Sequence, residues 1–219
     1  MKIILKIFVI VLLIANIQNK CIAQDGINRK AFVSINSGVY LPSMSDFNRI
    51  YNSHYAFING ISLGIPFMNE DLFFYSKAMY FQKYGTPIIY HFNSSNGVSN
   101  TYTTQEGDVA LQQLLLNIGI QYNLSFGLTN MLAFNGGISL IKASEKISNS
   151  PSNSDLKANG FAGYFLGVGY EKRISDKFGL FSEVQYNFDR LILKTFDISY
   201  GGANINLGVK YYFSQRMRQ

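Results

Sequence analysis

The stretch 202–213, Gly-Ala-Asn-Ile-Asn-Leu-Gly-Val-Lys-Tyr-Tyr-Phe, decides the fold. Ile205, Leu207, Val209, Tyr211 and Phe213 fall on one side of an extended chain, with Asn204, Asn206, Gly208, Lys210 and Tyr212 on the other. Successive side chains of a strand point to opposite faces, so one face here is apolar and the other polar. That division suits a strand with lipid on one side and a polar interior on the other. A strand in a soluble sandwich or a lipocalin-like carrier alternates as well. Repetition along the chain separates the two.

The rhythm recurs in eight segments: 31–41, 54–65, 71–83, 109–122, 130–142, 160–172, 178–189 and 202–213. In 109–122, for example, Leu114, Leu116, Ile118, Ile120 and Tyr122 oppose Gln113, Leu115, Asn117, Gly119 and Gln121. In 178–189, Leu180, Val184, Tyr186 and Phe188 oppose Phe181, Glu183, Gln185 and Asn187. Segment 71–83 is aromatic on both faces, and Lys77 argues that its odd-numbered residues point inward. Asn59-Gly60 and Asn135-Gly136 have hairpin-turn chemistry, yet the alternation runs through both, so neither is read as a turn.

Long polar connections (42–53, 84–108, 143–159, 190–201) alternate with short ones (66–70, 123–129, 173–177). Surface loops outside and tight turns inside give that order in an outer-membrane barrel. Closure also removes the sheet edges that lipid cannot satisfy. The expected fold is all-β: an eight-stranded antiparallel up-and-down transmembrane β-barrel.

Residues 1–23 read as a cleaved signal peptide, leaving 24–219 as one outer-membrane barrel domain. Lys2 and Lys6 give a basic start, 7–15 is apolar, and Cys21-Ile22-Ala23 is a small-residue site. The apolar run is shorter than the about 20 residues a spanning helix needs. Removal of Lys2, Lys6 and Lys20 halves the formal net charge of +6, and no Lys/Arg run follows, so nucleic acid is not an expected partner. Cleavage also removes the only cysteine. With two distant histidines besides, His54 and His91, neither a metal shell nor another cofactor is expected.

The end of the leader at Ala23-Gln24, the stretch Ile174-Ser175-Asp176-Lys177-Phe178-Gly179-Leu180-Phe181-Ser182-Glu183-Val184, and the finish Val209-Lys210-Tyr211-Tyr212-Phe213 resemble the small outer-membrane β-barrel domain proteins common in Bacteroidetes. Those are similar in outline to the eight-stranded OmpA and OmpX group. The resemblance covers nearly the whole mature chain through loose patterns. It implies residence in the bacterial cell outer membrane, contact with its lipid, and insertion by barrel assembly machinery through an aromatic-ended last strand. Here six residues follow Phe213.

An eight-stranded barrel is just wide enough for side chains to fill it. Unpaired charges in such an interior are costly, so Glu171, Glu183 and Lys210 are expected to form a lumenal ion-pair network. Tyr40, Tyr55, Tyr122, Tyr170, Tyr211 and Phe213 fall near strand ends and are expected to form the interfacial girdle. In 84–108, Tyr90, His91, Phe92 and Tyr102 stand among Ser, Thr and Asn as candidate surface contacts. His54 is expected to point inward at the outer end of its strand. The primary reading is a non-catalytic structural or surface-interaction barrel with envelope or surface protein partners. The alternatives are a barrel subunit of a secretion or envelope-assembly machine, like that of the gliding-associated system, and a lipid-modifying enzyme using a histidine with a nearby nucleophile.

Overall fold

The computed structural model describes residues 30–213, apart from 45, 68, 93–99, 105–106, 150–153 and 193–196. The expected leader, 1–23 with Cys21, lies outside the described residues.

Among the described residues the eight barrel strands are β1 (Phe32–Pro42), β2 (Ala56–Phe67), β3 (Asn69–Gly85), β6 (Asp108–Phe126), β7 (Asn130–Ser148), β8 (Ser154–Arg173), β9 (Phe178–Phe188) and β12 (Gly202–Tyr212). They close in the order β1-β12-β9-β8-β7-β6-β3-β2. Every ladder is antiparallel, and the β1–β12 seam, Phe32 opposite Tyr212 through Pro42 opposite Gly202, completes the ring. Asn59-Gly60 and Asn135-Gly136 lie in mid-strand, inside β2 and β7. The β3 register follows Lys77: Phe73, Tyr75, Lys77, Met79 and Phe81 are buried, while Phe74 and Tyr80 face out.

The long connections are more ordered than loops. Residues 84–108 contain a hairpin of β4 (Ile88–Phe92) and β5 (Asn100–Thr104), pairing Tyr90 with Tyr102. Residues 190–201 contain a short ladder of β10 (Arg190–Ile192) and β11 (Asp197–Ser199). Most of 143–159 continues β7 and β8, whose ladder runs on to Ile147 opposite Ser154. Glu145, between Ala143 and Ile147, and the serines that follow hid the two-residue rhythm there. The register shifts after Ile141, which faces Phe161, to Lys142, which faces Asn159, so Gly160 is an extra residue. Such a bulge changes which face of the strand the following residues occupy.

Residues 42–53 hold α1 (Phe47–Tyr51), a single turn of helix. Phe47 and Tyr51, four apart and so on one face, are both buried with ring centroids 4.7 Å apart. Asn52 stops the turn in the left-handed conformation at φ 46°, where asparagine is tolerated. The Thr86 amide donates to the Ile50 carbonyl at 2.9 Å and the Ser43 amide to the Gly201 carbonyl at 2.9 Å. α1 caps the loop end of the barrel, joining a cluster with Tyr40, Ile58, Phe81 and Leu115. A smaller aromatic cluster, Phe32, Phe73, Tyr75, Phe165 and Tyr212, fills the end that carries the termini.

Outside, the exposed residues are those a soluble domain would hide: Ile35, Phe57, Ile61, Leu166, Val184 and Leu207 among them. Aromatic pairs bound this belt at both ends, Phe178 with Tyr211 at one and Tyr186 with Phe188 at the other. From Phe178 to Phe188 a tilted strand climbs about 25 Å, the height of the apolar band of membrane barrels. An apolar exterior around a polar interior is a lipid-facing design.

Candidate functional site

The barrel interior between the two apolar ends holds acidic and basic side chains. β9 presents Phe181, Glu183, Gln185 and Asn187 inward in an unbroken row, continued by Asp189 just beyond the strand, because the two-residue period never slips. Across the lumen, β3 presents Lys77 and β12 presents Lys210. All four lysine and glutamate side chains are almost wholly buried.

The geometry divides the expected network in two. Lys210 Nζ donates to Glu171 Oε2 at 2.8 Å, and the Tyr212 hydroxyl bonds Glu171 Oε1. The same ammonium lies 4.5 Å from the centre of the Phe32 ring, a buried cation–π contact. Glu183 does not join Lys210. It pairs with Lys77, and also accepts from Asn135 Nδ2 at 3.2 Å and the Tyr75 hydroxyl at 3.3 Å. Charge counting held the signal for this pairing: two lumenal glutamates and one lysine leave an acid unmatched, and the inward-pointing Lys77 was the cation at hand.

Above the pairs, amides continue the network. Asn187 Nδ2 donates to Asn117 Oδ1 at 2.9 Å and to Ser139 Oγ at 2.7 Å, and Ser139 donates to Asp189 Oδ2 at 3.0 Å. Gln185 Nε2 donates to Asn187 Oδ1 at 2.8 Å, and Asn206 Nδ2 to Asn204 Oδ1 at 2.6 Å. Small residues give these side chains room. A Cβ at Gly167 would strike the Asn135 amide, and one at Gly64 the Phe32 ring. The lumen is a packed polar plug.

Tyr40 is not a girdle residue. It lies on the polar face of β1, fully buried, and its hydroxyl donates to the Tyr200 carbonyl at 2.8 Å. Proximity to a strand end had suggested the girdle, but side-chain direction is fixed by parity. Gln113 Nε2 donates to the same carbonyl at 2.9 Å, so Tyr40 and Gln113 together pin the chain entering β12. Tyr40→Phe should lower the unfolding free energy by about 1 kcal/mol, read from urea titration in lipid vesicles. Tyr55, Tyr122, Tyr170 and Phe213 stand exposed on the exterior, and Tyr211 is half-buried between the Phe178 and Phe213 rings.

The contact candidates Tyr90, His91 and Phe92 lie on β4 and Tyr102 on β5, with His91 opposite Thr101. His54 does not point inward. It sits exposed in the turn before β2.

No family model matches the chain, and no curated protein sequence matches it. Solved structures do. Neisserial surface protein A matches with a TM-score of 0.57 at 16% identity, over 86% of this chain and 100% of that one. The outer membrane protein OprG from Pseudomonas aeruginosa matches with a TM-score of 0.56 at 10% identity, over 85% and 97%. A major outer membrane protein from Thermus thermophilus matches at 0.50 and 12% identity, over 84% and 99%. This is the fold of the small outer-membrane β-barrels. Nearly the whole length of each solved chain aligns, so the likeness extends across nearly the full ring of this barrel.

Proposed function

We propose that the chain is an integral protein of the bacterial outer membrane whose lumen is structural and whose working surface is the sheet rising beyond the mouth. It binds envelope or surface proteins there and does no catalysis. One observation carries this reading. β9 pairs with β8 only between Tyr164 and Arg173, whereas β7 accompanies β8 out to Ser154. Among the described residues, Ser154–Gly163 is therefore paired in a ladder on one side only, although Asp189 lies against Gly163 and β10 passes close to β8. An edge of that length offers backbone donors and acceptors to an incoming strand, the mode of recognition called β-augmentation. The β4–β5 hairpin, on whose strands Tyr90, His91, Phe92 and Tyr102 fall, belongs to the same end. A non-catalytic lumen is supported by the two ion pairs, which hold Lys77, Glu171, Glu183 and Lys210 in mutual contact.

Photo-crosslinking on whole cells tests it. A crosslinker at Asn159, on the one-sided segment, should give adducts with other proteins, and one at Ile61, in the apolar belt, should give none. A variant in which Asn-Gly replaces 146–155 should keep its heat-shifted band on a gel and lose the adducts. Absence of adducts at Asn159 overturns the reading.

A further inference from the structure

The lipid-facing belt carries a polar island beside the closing seam. Among the described residues, the polar side chains that face out between two apolar residues of their own strand are Ser37 on β1, Asn59 on β2, Ser76 on β3 and Ser182 on β9. Ser76 and Ser182 are half-buried and stand singly, Ser76 between Leu63 and Ile118 and Ser182 between Leu207 and Tyr170. Ser37 and Asn59 are exposed and lie opposite each other in the β1–β2 ladder. Val39 faces Phe57 one step above them, Ile35 faces Ile61 one step below, Leu207 flanks Ser37 and Tyr80 flanks Asn59. Tyr80 turns its hydroxyl away, to Gln82 Oε1 at 3.4 Å.

Asn59 stands well inside the belt. On a strand tilted by roughly 40° it lies about 10 Å below Tyr55 and about 20 Å above Phe67, which stacks on Phe74 at the far end. Among the described residues neither its amide nor the Ser37 hydroxyl has a hydrogen-bond partner. Hydrocarbon offers none, and an amide brings two donors and an acceptor that are costly to leave unmet. A serine can turn its hydroxyl back to a nearby backbone carbonyl, whereas an amide cannot meet both its needs that way.

We infer that this outer face of β1 and β2 is the interface of a homodimer within the membrane, in which Asn59 bonds Asn59 of the partner subunit. Twofold symmetry sets a residue near the axis opposite itself, and an amide is complementary to its own copy, each giving an N–H to the other's carbonyl. No charged side chain belongs to the surrounding ring, so two identical faces meet without repulsion. The apolar neighbours are as content with acyl chains as with each other, which leaves the polar pair to supply the preference for protein. Ile61 then touches a second copy and no other protein. The inference rests on the membrane placement and not on strand addition to β8.

Förster transfer between donor- and acceptor-labelled copies, diluted with phosphatidylcholine in vesicles, tests it. The wild type should show transfer that falls with dilution as a pair dissociates. N59L should raise the dissociation constant about tenfold, the loss expected of two hydrogen bonds in hydrocarbon. N59Q, which keeps the amide, should retain most of the association, and S182A, which removes a belt hydroxyl two strands from β1, all of it. Leucine suits a lipid-facing position, so N59L should keep its heat-shifted band. Wild-type transfer no higher than that of randomly placed monomers overturns the inference and leaves the membrane placement standing. Absence of a heat-shifted band in the wild type overturns both. Association unchanged in N59L overturns the interface as well, and its loss in the variant with Asn-Gly for 146–155 would move the contact to the β8 edge.

Discussion

Glu183→Leu should lower the unfolding free energy by about 3–5 kcal/mol, because it leaves the Lys77 ammonium buried without its carboxylate. The effect goes beyond one ion pair, since Tyr75 and Asn135 donate to the same carboxylate. Lys77 is 1% exposed, so bulk solvent does not reach the ammonium to replace the missing partner. Glu183→Gln should cost less, as its amide oxygen still accepts from Tyr75 and Asn135. The double variant Lys77→Met/Glu183→Leu should recover most of the loss, because removing both partners of a buried pair removes the desolvation penalty with the attraction. Urea titration of the protein refolded into vesicles, followed by the heat-shifted band, measures all three. If Glu183→Leu unfolds at the wild-type midpoint, the lumen is wet and the pair contributes little.

Gly119→Val should prevent the ring from closing, at a cost of about 3 kcal/mol or more. Gly119 on β6 faces Gly137 on β7, and the two backbones approach where neither has a side chain. A Cβ at Gly119 would lie 2.7 Å from the Gly137 Cα and collide with the Gly136 carbonyl oxygen. Backbone cannot swing aside as a side chain can, so the ladder must open. The neighbouring Gly136 is the control. There an added Cβ meets the tip of Leu166 at 3.0 Å and the Phe165 carbonyl at 3.4 Å, so Gly136→Ala should stay within about 1 kcal/mol of wild type. Equal behaviour of Gly119→Val and Gly136→Ala in the heat-shift assay would refute the close approach.

Parity was the legible part of this chain. Because the period is two, each inward residue fixes the next, and this carried the barrel strands, their order and the lumenal position of Lys77 even through aromatic β3. Pairing across the lumen was not legible, since register between strands that are far apart in the ring depends on stagger. Lys210 therefore met Glu171 alone, while Glu183 was claimed by a lysine half the chain away. Tyr40 shows a different failure: nearness to a strand end was allowed to outweigh the face it occupies. The rising sheet escaped because Glu145 interrupts the apolar face of Ala143 and Ile147 and serines and asparagines follow, so the alternation is broken. α1 escaped because a single turn has too few residues to show a helical period.

The seam joins Phe32 to Tyr212, so the first strand waits for the last. Until β12 arrives, both bordering strands display bare amides and carbonyls, and any neighbouring copy presents the same temptation. Errors of biogenesis should therefore outnumber errors of stability. A defect confined to β12 would strand the whole polypeptide as a sticky ribbon, even with every other ladder intact.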